Sequence, residues 1–161
     1  MIVPCGAGSN VLGCEIGFSE LLRAGEIDTM PRIFAAQPAN CGPIAATFLA
    51  GSDTQVPTEI SPTIAEGTAI AQPIRLPEVL GTLRETRGGA VLLNEAEIGA
   101  AVLDLARIGI YVEPTSAQAA AAFARLLAAG TVRPEQTTVL VLTGCGLKAT
   151  TRIAELLGIA L

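Results

Sequence analysis

The sequence predicts a layered α/β domain, with helices on both faces of a mostly parallel sheet. Three observations carry that expectation. Strand and helix signals alternate from one end of the chain to the other. The strand candidates are short, nearly unbroken apolar runs, the pattern of strands buried on both faces. Small-residue loops follow several of them, at the edge where such sheets take ligands.

The elements follow in order. Met1–Val3 reads as a strand end, too short for a natural central strand and marginal as an edge, so the chain is expected to start part-way through a structural unit. Pro4-Cys5-Gly6-Ala7-Gly8-Ser9-Asn10 is a small-residue loop, with Asn10 as candidate cap of the next helix. Val11, Leu12, Ile16, Phe18, Leu21 and Leu22 give that helix a broad apolar side, and Gly25 stops it. Arg32–Gln37 is a second strand, ended by Pro38. A helix from Pro43 to Leu49 carries Ile44 and Phe48 on one side. Residues 51–62 form a polar loop, and Glu78–Thr86 a helix closed by Gly88-Gly89. Ala90–Leu93 is a strand, and Asn94 with Glu97 has capping-box spacing for a helix to Arg107. Ile110–Val112 is a short strand. Thr115 and Ser116 are candidate caps for an alanine-rich helix, Ala117–Ala129, whose core side is Phe123, Leu126 and Leu127. Thr138–Leu142 is the clearest strand signal, and Thr150–Leu157 a closing helix. No second domain is visible.

Composition narrows the function. The chain has 161 residues, a net charge of −5 and a pI near 4.7, with nine Arg and one Lys scattered. That argues against a nucleic-acid partner. No apolar run reaches membrane-spanning length and no signal peptide opens the chain. Cys5, Cys14, Cys41 and Cys145 are widely spaced, as reduced and mostly buried thiols of a cytoplasmic protein are. Histidine is absent, which removes the commonest general base and metal ligand, and no metal spacing exists.

A few residues could carry chemistry. The Gly6–Asn10 loop can turn its N–H groups toward an anion, although tight packing alone also explains such a loop. Thr143 ends an apolar strand before Gly144. Its hydroxyl can bond a heterocyclic nitrogen or simply tie off the strand. Glu113 and Glu66 can orient a ligand or pair with arginines. Lys148 suits a solvated position better than a covalent role, and nothing activates Cys5 or Cys145.

The segments VPCGAGSNVLG, GFSELLRAGEID, PRIFAAQPANCGPI, PTIAEGTAI, YVEPTSA and VLVLTGCGLKAT resemble, in this order, the C-terminal part of threonine synthases and their paralogues. These are fold-type-II pyridoxal-phosphate enzymes related to the tryptophan synthase β chain. The resemblance covers essentially the whole chain. It implies part of the large domain of that fold, with pyridoxal 5'-phosphate as cofactor. Gly6, Ala7, Gly8, Ser9 and Asn10 match the loop that holds the cofactor phosphate, with Ala7 and Ser9 departing from the glycine-richer family loop. Thr143 matches the partner of the pyridine nitrogen. Glu66 and Glu113 match acidic positions near the cleft, and Lys148 matches the lysine of the GLK turn, not the Schiff-base lysine. That lysine lies upstream of the phosphate loop in the family, so residues 1–161 are expected to be a C-terminal portion, inactive alone, with no catalytic residue of its own. The intact family protein would be a lyase converting O-phosphohomoserine and water to threonine and phosphate, with a small amino-acid substrate and a homodimer as candidate assembly. A threonine dehydratase or another β-elimination or β-replacement paralogue is the alternative. A non-catalytic domain binding phosphate-containing ligands or another protein is the third reading.

Overall fold

A computed structural model describes residues 1–159. Strands β1 (Ile2–Pro4), β2 (Phe34–Pro38) and β3 (Gly89–Leu93) form a parallel sheet in that order. Val3 pairs with Ala35, which pairs with Ala90, and Pro38 is the last paired residue of β2, opposite Leu93. Six α-helices surround the sheet: α1 (Ser9–Ala24), α2 (Pro43–Leu49), α3 (Leu76–Glu85), α4 (Glu95–Arg107), α5 (Pro114–Ala128) and α6 (Thr150–Leu156).

The strands are buried on both faces, and their alternation sorts the core into two layers. Ile2, Phe34, Ala36, Val91 and Leu93 pack with α4 and α5. Val3, Ile33, Ala35 and Ala90 pack with α1, α2 and α3. The layered αβα architecture is therefore as the sequence predicts. Gln37 is the polar exception in β2. It is fully buried, and its Oε1 accepts the N–H of Ala45, an otherwise unpaired donor in the first turn of α2. Asn94 makes the expected capping box: its side chain accepts the N–H of Glu97, whose carboxylate accepts the N–H of Asn94.

Several expectations change. Thr138–Leu142, the clearest strand signal, is an extended segment with a single bridge to β1. The N–H of Ile2 donates to Val139 O at 2.9 Å and the N–H of Val141 to Ile2 O at 3.0 Å. A three-residue partner that ends in Pro4, with no N–H of its own, cannot extend the ladder. This segment nevertheless gives β1 a neighbour on each side. Ile2 and Val3 are wholly buried, so β1 is an interior strand despite its length. Ile110–Val112 also makes one bridge, antiparallel, between Val112 and Cys145, because α5 begins at Pro114.

The helices shift too. Asn10 does not cap α1. Gly8 occupies that position, and Asn10 lies exposed in the first turn. Only Val11 and Leu12 of the predicted apolar side are buried, while Ile16, Leu21 and Leu22 face outward. Glu113 takes the N-cap position of α5 in place of Thr115 or Ser116. The core side of α5 is mostly alanine, which lets the helix lie close to the sheet, and Leu127 is exposed. The four cysteines are free. Cys5 and Cys41 are buried, whereas Cys145 is exposed, contrary to the general expectation of burial. No helix among the described residues is long and apolar enough to cross a membrane.

Candidate functional site

The loop after β1 is built to leave donors free. The N–H of Cys5 bonds Ala36 O and extends the sheet; the next backbone bond is that of Leu12, to Gly8 O. Among the described residues, the N–H groups from Gly6 to Val11 donate to no protein acceptor. They lie at the N-terminus of a 16-residue helix, where the partial positive charge of the helix dipole adds to their own. Gly8 makes this geometry possible. Its φ is 97°, and a Cβ there would overlap Val79 Cγ2 of α3.

These residues open on a cavity of about 380 Å³, within the range of small-molecule sites. Gly6, Ala7, Gly8, Ser9 and Asn10 form one wall. Thr143 and Glu113 belong to the same lining, with Gly67, Thr68 and Thr115. Three distant stretches singled out in the sequence thus meet in one place. The loop at 37–43, at the same sheet edge, is not part of this lining.

Thr143 is held by a residue that sequence reasoning considered only as a cap. The hydroxyl of Ser116 is buried in the first turn of α5. It accepts the N–H of Gly144 at 2.6 Å, donates to Gly144 O at 3.1 Å, and lies 3.2 Å from Thr143 Oγ1. Backbone bonds on both sides of the Val112–Cys145 bridge add to this strap: Glu113 N–H to Gly144 O, and Gly146 N–H to Tyr111 O. The Glu113 carboxylate lies over Gly144, where any Cβ would collide with it. A side chain after Thr143 would fit only with that carboxylate moved aside.

Glu66 falls elsewhere. It is exposed and lines a neighbouring groove of about 440 Å³, together with Lys148, Arg152 and Glu155. Its carboxylate is 3.1 Å from the Arg152 guanidinium, which also bonds Glu155 at 2.7 Å. The hydrogen bonds to Glu66 and Glu155 raise the Arg152 pKa further, so the guanidinium stays charged. Glu113, Gly67 and Thr115 border both spaces. Lys148 lines the groove and not the loop cavity, in keeping with a solvated side chain. Cys5 lies under the loop and is inert: burial pushes its thiol up to about 12.

Of the polar residues that shape the cavity, Thr115 stood out only as a candidate cap, and Thr68 and Gln118 carried no signal strong enough to single them out. The one available hint was a glutamine inside the alanine run of α5.

Comparison with known proteins agrees with this geometry. Residues 1–144 match the pyridoxal-phosphate dependent enzyme family. Threonine synthase from Methanosarcina acetivorans is 32% identical over 149 residues, which cover 92% of this chain and 37% of that protein. Threonine synthase from Methanocaldococcus jannaschii is 33% identical over the same length and shares. The crystal structure of threonine synthase from Escherichia coli superposes with a TM-score of 0.71 at 20% identity, covering 99% of this chain and 36% of that one, a likeness of fold. The chain thus spans little more than a third of the length of these relatives. With a family match over most of its length and a sheet of the same fold, the chain belongs to the pyridoxal-phosphate-dependent enzymes of fold type II.

Proposed function

We propose that these residues are the C-terminal part of the cofactor-binding domain of a threonine synthase-like lyase, which converts O-phosphohomoserine and water to threonine and phosphate. The observation that carries the proposal is the single cavity shared by the unpaired N–H groups of Gly6–Asn10 and the strapped Thr143, in a chain whose curated relatives include threonine synthases.

The residues present fit pyridoxal 5'-phosphate. The loop N–H groups, at the positive end of α1, suit a phosphate dianion. The glycine at position 8 allows the left-handed φ from which α1 starts, which a larger residue, pressed against Val79, would deny. Thr143 offers a neutral hydroxyl to a ring nitrogen and brings no charge to it. Bound pyridoxal phosphate supplies an electron sink for carbanion chemistry at an amino acid. The protein's share is then positioning. Ser116 fixes Thr143, the 6–10 loop fixes the phosphate end, and Glu113 holds the 143–144 turn through its N–H on Gly144 O. The proposal places the Schiff-base lysine, which would also move the substrate protons, in residues preceding the phosphate loop, since Lys148 lines the other groove. It includes a small amino-acid substrate, a homodimer, and a cytoplasmic setting that suits the four free cysteines.

The test is product analysis with the full-length protein. Phosphate and threonine should appear in equal amounts from O-phosphohomoserine. Release of ammonia and a 2-oxo acid from threonine, without reaction of O-phosphohomoserine, would instead identify a dehydratase and overturn the assignment.

A further inference from the structure

Gln118 is wholly buried on α5, among alanines, where an apolar side chain would cost nothing to desolvate. Its Nε2 carries two protons and uses both: one on Thr68 Oγ1 at 2.9 Å, one on the carbonyl of Thr115 at 3.0 Å. Its Oε1 has no partner among the described residues. A buried amide that leaves its oxygen unpaired to make two donations is expensive as mere filler.

The two acceptors belong to different stretches that both line the loop cavity. Thr68 ends the short 3-10 turn Glu66–Thr68, and Thr115 lies in the first turn of α5. A third bond closes the ring, from Gly67 N–H to Thr115 Oγ1 at 3.1 Å. The Thr68 hydroxyl passes its own proton to Ala65 O at 2.9 Å. The far side of this turn rests on the phosphate-type loop. A Cβ on Gly6 would stand 3.3 Å from Thr68 Cα and 3.4 Å from Gly67 O, so turn and loop are already in close contact. The Gly67 carbonyl, a group that repels anions, shares its peptide plane with the Thr68 N–H, which donates to Ala65 O at 3.0 Å, so it is kept in one orientation beside Gly6.

We infer that Gln118 is a positioning residue: it holds the Gly67–Thr68 turn against Gly6 and so sets the grip of the Gly6–Asn10 loop on the phosphate of its ligand. The inference rests on the phosphate reading of that loop given above. It predicts an effect confined to the phosphate end. Gln118 touches neither Thr143 nor the strap around it through any hydrogen bond among the described residues.

The experiment compares two probes on the full-length protein by equilibrium dialysis: pyridoxal 5'-phosphate, and pyridoxal, which has the same ring and no phosphate. Gln118→Met keeps the length and loses both donations. It should weaken pyridoxal phosphate about tenfold and leave pyridoxal within about twofold. Thr68→Val should reproduce that selective loss, and Thr68→Ser, which keeps the hydroxyl, should not. The double variant Gln118→Met/Thr68→Val should lose no more than Gln118→Met alone, because Gln118→Met has already removed the bond to Thr68. Equal losses for both probes, an unchanged preference in Gln118→Met, or additive losses in the double variant would overturn the inference alone. Wild-type protein that binds the two probes equally would overturn the phosphate reading and the inference with it. Should Gln118→Met not fold, the Thr68→Val and Thr68→Ser pair decides the matter by the same comparison.

Discussion

Gly8 shows how much a single residue is asked to do. It must adopt a φ of 97°, leave room for Val79, and start α1 with its N–H groups facing the cavity. Gly8→Ala adds left-handed backbone strain of about 1–2 kcal/mol and overpacking of about 1–3 kcal/mol. Chemical denaturation should therefore show a loss of roughly 2–5 kcal/mol. A companion Val79→Ala should recover the overpacking part only, and full recovery would mean that the backbone strain is absent. Ser116 and Gln118 make the complementary point about legibility. Gly8 was visible from the sequence because glycine between a strand and a helix is a backbone signal. Ser116 was visible only as a cap, and Gln118 only as a glutamine in an alanine run, because the partners they bond lie 27 and 50 residues away in the chain. Local periodicity cannot register partners at such separations. Glu66 and Glu113 looked alike in sequence, yet one pairs with Arg152 in the open and the other lies on Gly144.

At the scale of elements, propensity and capping were legible where the signal was local and complete. The helix Glu95–Arg107 carries a full capping box and an i, i+3, i+4, i+7 apolar side, and its observed start is the expected one. Asn94→Ala should cost about 1 kcal/mol, read as a shift in the denaturation midpoint. Glu97 is also tied to Arg125 of α5 at 2.7 Å, and Arg125 in turn bonds the carbonyl of Leu92. A measured loss near zero would show that this second contact carries the helix start without the cap. The strand signals were less faithful. Thr138–Leu142 has stronger β-propensity than β1, but a ladder needs two partners, and β1 offers only Ile2 to it. Alanine misled in the other direction. Of Phe123, Leu126 and Leu127, the expected core side of α5, Leu126 is buried, Phe123 packs partly buried against the core and Leu127 is exposed, while Ala117, Ala119, Ala121 and Ala122 supply most of the buried side. Small residues permit close approach, and hydrophobicity scales undervalue that.

At the scale of the molecule, the sheet divides two apolar layers, as the alternating pattern predicted. The same burial sets a pH limit. Cys5 titrates near 12 when folded because burial disfavours its thiolate, against about 9 as an open thiol. A folded pKa above the unfolded one adds stability below the unfolded value and loses it as pH rises through the window between the two. Stability measured by denaturant should therefore fall from about pH 9 toward pH 12, and Cys5→Ala should flatten part of that slope. An unchanged slope in the variant would assign the alkaline loss to other groups.

The central claim is that the backbone of Gly6–Asn10 grips a phosphate. It is tested most directly by following backbone amide signals of the 161-residue chain by NMR during titration with inorganic phosphate and then with pyridoxal 5'-phosphate. The amides of Gly6, Ala7, Gly8, Ser9 and Asn10 should shift together and saturate at one ligand concentration, with Thr143 joining them only for pyridoxal phosphate. Amides that stay still in this loop, while signals around Lys148 and Arg152 move, would place the anion in the neighbouring groove and contradict the account.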